Sequence, residues 1–326
     1  MRAPMLTLAV VVPTFNERQN VVELIARLDR VLTGVEYEVI VVDDDSPDGT
    51  AAVVRELARA NPRLRVLQRV GRRGLSSACI EGMLAAAAPY IAVIDADLQH
   101  DETVLPAMVE KLESEQLDLV VGTRHAHGGS IATLGEKRVK LSNVGKRISR
   151  IVTHADLSDP MSGFFVLDRR FLDEVVHSLS GVGFKILLDL VASSPRPVRA
   201  GEVPYHFRER LHGESKLDAL VAVEYLQLVA DKFIGGVVPP RFVLFGLVGG
   251  TGVLLHLMIL GILLRGSGVR FGVAQLIATV VVMTTNFFLN NILTWRDHRL
   301  KGAAIVTGLL AFYAACSIGA LLNLQV

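Results

Sequence analysis

Three short apolar runs rich in β-branched residues, Leu6 to Val12, Tyr37 to Val42 and Tyr90 to Ile94, each break off into a polar cluster. The clusters are Pro13-Thr14-Phe15-Asn16-Glu17, Asp43-Asp44-Asp45 and Asp95-Ala96-Asp97. Runs of this length read as strands, and helical periodicity fills the gaps between them. Asn16 is placed to cap a helix through Leu32 that aligns Val21, Leu24, Ile25 and Leu28 on one face. Ser46-Pro47-Asp48-Gly49-Thr50 is a turn that can cap a helix over Ala51 to Ala60, and Leu75 to Ala88 is a third helix. Arg65 to Arg69 and Leu119 to Val121 read as further strands. Strands alternating with helices imply an α/β fold with a mostly parallel sheet. Parallel strands bring their C-terminal ends to one edge, so the polar clusters converge where open α/β sheets take their ligands.

Asp95 and Asp97 are one residue apart. On an extended backbone residues i and i+2 share a face, so the pair can offer oxygens to one hard cation. Asp-x-Asp is common on protein surfaces, and its place at a buried strand's end is what points to a site. The first strand is followed by no G-x-G-x-x-G, and no G-x-x-x-x-G-K-[ST] occurs in the chain. A phosphate-bearing ligand on this edge then needs another counter-charge, and a carboxylate-bound divalent cation supplies one.

The chain has 326 residues, of which 51% are hydrophobic, a high share unevenly spread. Residues 241–326 hold six of the 34 Lys and Arg and one of the 33 acids, leaving 28 basic against 32 acidic residues in front. Phe242 to Leu264, Phe271 to Leu293 and Ala303 to Leu322 each reach the ~20 apolar residues that a bilayer core requires. Arg296, Arg299 and Lys301 follow the second stretch, and Arg265 and Arg270 the first. The positive-inside rule puts the loop at Trp295 to Lys301, and hence the front domain, on the cytoplasmic face of a multi-pass membrane protein. Asn286, Asn290 and Asn291 lie inside a span and are expected to face other helices. Cys79 and Cys316 give no disulfide framework.

Taken in order, Val12-Pro13-Thr14-Phe15-Asn16-Glu17, Val42-Asp43-Asp44-Asp45-Ser46, Asp95-Ala96-Asp97-Leu98-Gln99-His100 and Gly213-Glu214-Ser215-Lys216 resemble the GT-A glycosyltransferases of family 2, in the branch that glycosylates polyprenyl phosphates. The resemblance covers roughly the first 230 residues. Arg241-Phe242, Gly246 to Gly252 and Asn286-Phe287-Phe288-Leu289-Asn290 resemble the small GtrA-type membrane domain. The organisation expected is a GT-A, Rossmann-like catalytic domain over residues 1–215, interfacial helices or linker over 216–238, and a transmembrane domain over 239–326.

The resemblance implies that Pro13, Phe15, Glu17, Val42, Asp44 and Ala96 line the nucleotide pocket, with Arg210 and Lys216 reaching the donor phosphates. It implies that Asp95, Asp97 and Gln99 hold Mg2+ or Mn2+ against the diphosphate, and that Arg124, Arg138 and Ser142 meet a lipid phosphate. Asp97, Arg124, Arg138 and Arg210 would carry the chemistry. Taken alone, several of these have plainer readings: Arg138 sits in a basic run that could be a solvated face, and Asp43 and Asp45 could be capping acids. Asp159-Pro160-Met161-Ser162-Gly163-Phe164-Phe165 resembles a family segment near the acceptor site, and Gly163 and the two aromatics could equally be structural. The chain has Phe15 where the family often has Tyr, and Asp101 where Pro is common. The implied reaction is inverting transfer of mannose from GDP-mannose to dolichyl or polyprenyl phosphate, with UDP-glucose as the alternative donor. A membrane carrier or scaffold for a lipid-linked sugar is the non-enzymatic alternative. Implied partners are the nucleotide sugar, the lipid phosphate and the bilayer, with no nucleic acid.

Overall fold

The computed structural model describes residues 7–124, 157–181, 186–208, 240–266, 269–295 and 299–324. The chain divides into two compact units, Met1–Lys232 and Phe233–Val326.

The first unit is built on a seven-stranded sheet: β1 (Leu8–Thr14), β2 (Tyr37–Asp43), β3 (Leu64–Gln68), β4 (Tyr90–Val93), β5 (Leu119–Thr123), β6 (Phe165–Asp168) and β7 (Ala200–Pro204). Their order across the sheet is β3-β2-β1-β4-β6-β5-β7. Every pairing is parallel except the two made by β6, which runs against both β4 and β5. The expected mostly parallel sheet is present, with one reversed strand inserted near its middle. Helices α1 (Arg18–Val31), α2 (Thr50–Ala58), α3 (Leu75–Ala85), α4 (Leu105–Ser114), α5 (Arg169–Val175) and α6 (Ile186–Ala192) follow the strands. β1 and β2 are buried at every position, as a sheet covered on both faces requires. Val10, Val12, Leu24 and Leu28 pack on one face, and Val11, Ile40, Met83 and Leu172 on the other.

Two local expectations are corrected. β1 runs through Pro13 to Thr14 instead of closing at Val12. The Val11 carbonyl accepts from the Ile94 N–H, on the β4 side, and that ladder ends at Val11 and Val93. Pro13, two residues on, faces the same side beyond the ladder, so its missing N–H forfeits no bond. Asn16 does not cap α1. It takes a left-handed φ of 58°, and the exposed helix start is served from another loop, where Asp48 Oδ2 accepts from the Arg18 N–H at 3.1 Å. Asp48 Oδ1 caps its own helix as well, accepting from the Thr50 N–H at 3.0 Å. One acid thus ties the loops after β1 and β2 together.

The second unit contains α7 (Pro240–Gly266), α8 (Phe271–Leu289), a π-helical turn at Asn290–Thr294, and α9 (Ala303–Leu324). Among the described residues, two stretches, Phe245–Gly266 and Phe271–Thr294, are long and apolar enough to cross a membrane. Leu254, Leu257 and Ile262 stand more than half exposed, an apolar surface too large to leave in water. Asn286 faces another helix, where a Cβ on Gly252 would meet its Nδ2 at 2.7 Å, whereas Asn291 pairs with both backbone groups of Leu300 and Asn290 Oδ1 accepts from Thr294 Oγ1 at 2.8 Å within its own turn.

Candidate active site

Because β1, β2, β4, β5 and β7 run parallel, their C-terminal ends share one edge, and the reversed β6 starts there. That edge carries Phe15, Asp44, Asp95, Arg124, Gly163 and Tyr205, drawn from six strands.

Asp95 and Asp97 lie on a turn that leaves β4, not on extended backbone as the i, i+2 argument supposed. Leu98 takes a left-handed φ of 62°, and burial still alternates: Asp95, Asp97 and Gln99 are half-buried, while Ala96, Leu98 and His100 are buried. The two carboxylates and the Gln99 amide are therefore on the accessible side. Asp97 Oδ1 accepts from the Gln99 N–H at 3.2 Å, which tightens the turn. Gln99 Nε2 donates to the Arg208 carbonyl at 3.3 Å, and Arg208 N–H donates to the Gln99 carbonyl at 2.8 Å. The segment after β7 is thereby fastened to the carboxylate turn.

No group of three His, Cys, Asp or Glu side chains able to hold a metal converges among the described residues. The donor set nonetheless fits a particular kind of ion. Mg2+ is commonly bound by one or two carboxylates together with substrate phosphates, not by an all-protein cage. Two half-exposed carboxylates on one turn match that chemistry, with hard oxygen donors throughout.

Arg124 leaves the end of β5, within electrostatic range of Asp95. Asp159, only 3% exposed, grips it in a fork: Nε donates to Oδ2 at 2.8 Å and Nη2 to Oδ1 at 3.2 Å. The guanidinium also lies over the Phe207 ring, 4.9 Å from its centroid. Burial opposes its charge, but Asp159 outweighs burial and raises the pKa, with Asp95 adding at longer range. The Tyr205 hydroxyl is pushed up by burial, and Asp159, Asp95 and Asp97 push the same way against Arg124. Arg124 and both acids of the turn are therefore within electrostatic reach of one phenol.

On the other flank, Asp44 is 6% exposed. Its Oδ1 accepts from Arg69 Nη1 and its Oδ2 from the Gly74 N–H, each at 2.7 Å. Burial raises its pKa against the pull of those two donors. Asp43 is a structural acid, accepting from Thr14 Oγ1 at 3.0 Å and from the Ser46 N–H at 2.9 Å. Asp45 accepts from Gln68 Nε2 at 2.7 Å. Phe15 is half-buried, with the Arg73 guanidinium 4.5 Å over its ring. Glu17 Oε2 accepts from Asn20 Nδ2 at 2.7 Å. Pro13 is a buried β1 residue, and Val42 is fully enclosed, its methyl 2.8 Å from where a Cβ on Gly82 would lie. Burial raises the pKa of the Cys79 thiol, and Asp95 and Asp44 add to it, so both acids bear on the same stretch of α3.

The structure thus brings together Asp44, Asp95, Asp97, Gln99 and Arg124. Arg138, Ser142, Arg210 and Lys216 lie outside the described residues. Sequence reasoning assigned no role to His100, Tyr205, Phe207 or Arg69. Gly163 and Asp159 stood in a segment already singled out, and the geometry now separates their uses: Asp159 orients Arg124, while a Cβ on Gly163 would lie 2.1 Å from Asp95 Oδ2. Phe164 and Phe165 are fully buried core residues.

A family model described as glycosyl transferase family 2 matches residues 9–176. The chain belongs to glycosyl transferase family 2. A second model, the GtrA/DPMS transmembrane domain, matches residues 244–326, in keeping with the two apolar helices. The family 2 enzyme is 35% identical to a dolichol-phosphate mannosyltransferase of Pyrococcus furiosus over 97% of this chain and 88% of the relative. It is 37% identical to a dolichol-phosphate mannosyltransferase of Saccharomyces cerevisiae over 69% of this chain and 86% of the relative. Among solved structures, glucosyl-3-phosphoglycerate synthase of Mycobacterium tuberculosis, in complex with Mn2+, UDP-glucose and phosphoglyceric acid, superposes with a TM-score of 0.52 at 18% identity. That match covers 69% of this glycosyltransferase and 79% of the other chain, and at this identity it bears on the fold alone.

Proposed function

We propose that this glycosyltransferase moves mannose from GDP-mannose to dolichyl or a related polyprenyl phosphate, with inversion at the anomeric carbon. The observation that carries the reading is the juxtaposition of two half-exposed carboxylates with an arginine held ready by a buried acid. A sugar-nucleotide diphosphate needs a cation on the first side, and an anionic acceptor needs a cationic host on the second. The two curated relatives named above supply the lipid and the sugar.

Asp95 and Asp97, with Gln99, are the residues to hold Mg2+ or Mn2+. When bound, the cation neutralises the charge that develops on the departing diphosphate. A lipid phosphate is already anionic at neutral pH, so the site needs positioning more than a strong base. Arg124 suits this task. Asp159 takes up Nε and Nη2, leaving the Nη1 edge for a phosphate oxygen. Arg138 and Ser142 are assigned to the same phosphate, and Arg210 and Lys216 to the donor diphosphate. Phe15, Asp44, Glu17 and Ala96, with the backbone of Pro13 and Val42, are assigned to the nucleotide. The membrane domain would keep the catalytic unit at the cytoplasmic face, beside its lipid acceptor.

The test incubates purified full-length protein with Mn2+, dolichyl phosphate and either labelled GDP-mannose or labelled UDP-glucose. Mannolipid from GDP-mannose supports the reading. Glucolipid alone would replace the donor, and no lipid product from either donor would overturn the reading.

A further inference from the structure

The turn that carries Asp95 does not by itself aim its carboxylate. A carboxylate rotates broadly about its last torsion, while a shared cation and diphosphate require one oxygen in one place. Two features of the surroundings restrict that rotation. Gly163 passes so close that no side chain fits behind Oδ2, and His100 Nε2 stands 3.4 Å from the same oxygen. His100 is 5% exposed, and its Nδ1 is 2.6 Å from the Tyr205 hydroxyl. Its ring is boxed by Phe164, Tyr205 and Phe207, with centroids 5.5, 5.7 and 5.7 Å away.

A carboxylate beside Nε2 favours the tautomer with the ring proton on Nε2, aimed at Asp95 Oδ2, and in that tautomer the Tyr205 O–H donates to Nδ1. Oδ1 is then the oxygen left to a cation. A histidine used only for packing gains nothing from this arrangement. Phenylalanine would fill the same aromatic box without the cost of burying two ring nitrogens. The polar chain is explained if its product is the orientation of Asp95. Metal ligands are routinely aimed in this way by hydrogen-bond partners behind them.

We propose that His100, itself fixed by Tyr205, is a positioning residue that pins Oδ2 of Asp95 so that Oδ1 meets the divalent cation. The proposal rests on the reading of Asp95 as a metal-side carboxylate. It also gives β7 a part in the donor site, because Tyr205 directly follows that edge strand.

The test titrates Mn2+ into the full-length protein with GDP, and separately with UDP, following loss of the free-Mn2+ electron paramagnetic resonance signal. His100→Phe keeps the ring packing and removes both nitrogens, and Tyr205→Phe removes only the donor to Nδ1. His100→Gln restores one amide donor. Mn2+ affinity should fall about 10-fold or more in His100→Phe and about 3-fold in Tyr205→Phe, with His100→Gln in between. GDP affinity without metal should stay near wild type in Tyr205→Phe, while the buried Nδ1 left without its donor should lower the melting temperature. Equal Mn2+ affinity in wild type, His100→Phe and Tyr205→Phe would overturn this inference alone. A wild type that takes up no Mn2+ with either nucleotide would overturn the metal reading and this inference together.

Discussion

Asp118 and Asp95, at opposite ends of the sheet, are held in opposite ways. At the N-terminal end of β5, Asp118 is 3% exposed and fully engaged: Arg196 Nη1 and Nη2 donate at 2.7 and 3.0 Å, Arg199 Nη2 at 2.8 Å and the Arg199 N–H at 2.9 Å. Burial alone would raise its pKa, but the arginine hydrogen bonds outweigh burial and hold it well below the usual carboxylate range. At the opposite end Asp95 keeps a third of its side chain exposed and is met by a histidine nitrogen at 3.4 Å, with no arginine of the described residues in salt-bridge range. The lesson is one of allocation. An acid that holds the fold is neutralised by the chain's own cations, and an acid meant for an external cation is left accessible and merely aimed.

Removing charge at the two ends should therefore produce different defects. Asp97→Ala should lower transfer by about three orders of magnitude, with the fold intact, as measured by labelled lipid product and by circular dichroism. Arg124→Ala should lower kcat/KM for the lipid phosphate by about 100-fold while leaving nucleotide affinity unchanged, which separates acceptor from donor function. Gly163→Ala should cost about 10- to 100-fold in turnover. Its methyl displaces the Asp95 carboxylate, and the melting temperature should move far less than the rate.

Asp118→Asn should show the reverse pattern, with turnover near wild type and stability lower by about 1–2 kcal/mol in denaturant titration, since its arginine partners are partly solvated. The sign of its pH dependence follows from the depressed pKa. The stabilisation is complete above the unfolded carboxylate's pKa, about pH 4, and is lost as pH falls below it. Wild type should lose more stability than Asp118→Asn between pH 5 and pH 2, about 1 kcal/mol more by the same scale.

What the sequence disclosed and what it withheld follows from the separation of the residues concerned. Strand ends that dissolve into acids were readable because the apolar run and the acid are adjacent, and so the converging edge at Asp44 and Asp95 could be anticipated. The i, i+2 argument reached the right side chains through the wrong backbone: Leu98's left-handed φ makes a turn, yet burial still alternates. The reversal of β6 was not readable, since four residues, Phe165–Asp168, carry no signal of direction and pairing with β4 is settled by packing. The second layer of the site was hidden for the same reason. His100 and Tyr205 are 105 positions apart, and Arg124 and Asp159 are 35 apart. The capping of α1 by Asp48, 30 residues downstream, is the same kind of event. Arg138, Ser142, Arg210 and Lys216 rest on the sequence motifs alone.

The central claim is that the accessible acids at one end of the sheet, and not the paired acid at the other, carry a cation-dependent mannosyl transfer. One measurement tests it most directly: the rate of labelled mannose transfer from GDP-mannose to dolichyl phosphate, with Mn2+ in excess, for wild type, Asp118→Asn and the double variant Asp95→Ala, Asp97→Ala. Wild type and Asp118→Asn should both turn over, and the double variant should form no mannolipid above the rate seen in chelator. A double variant that transfers mannose at the wild-type rate would contradict the account.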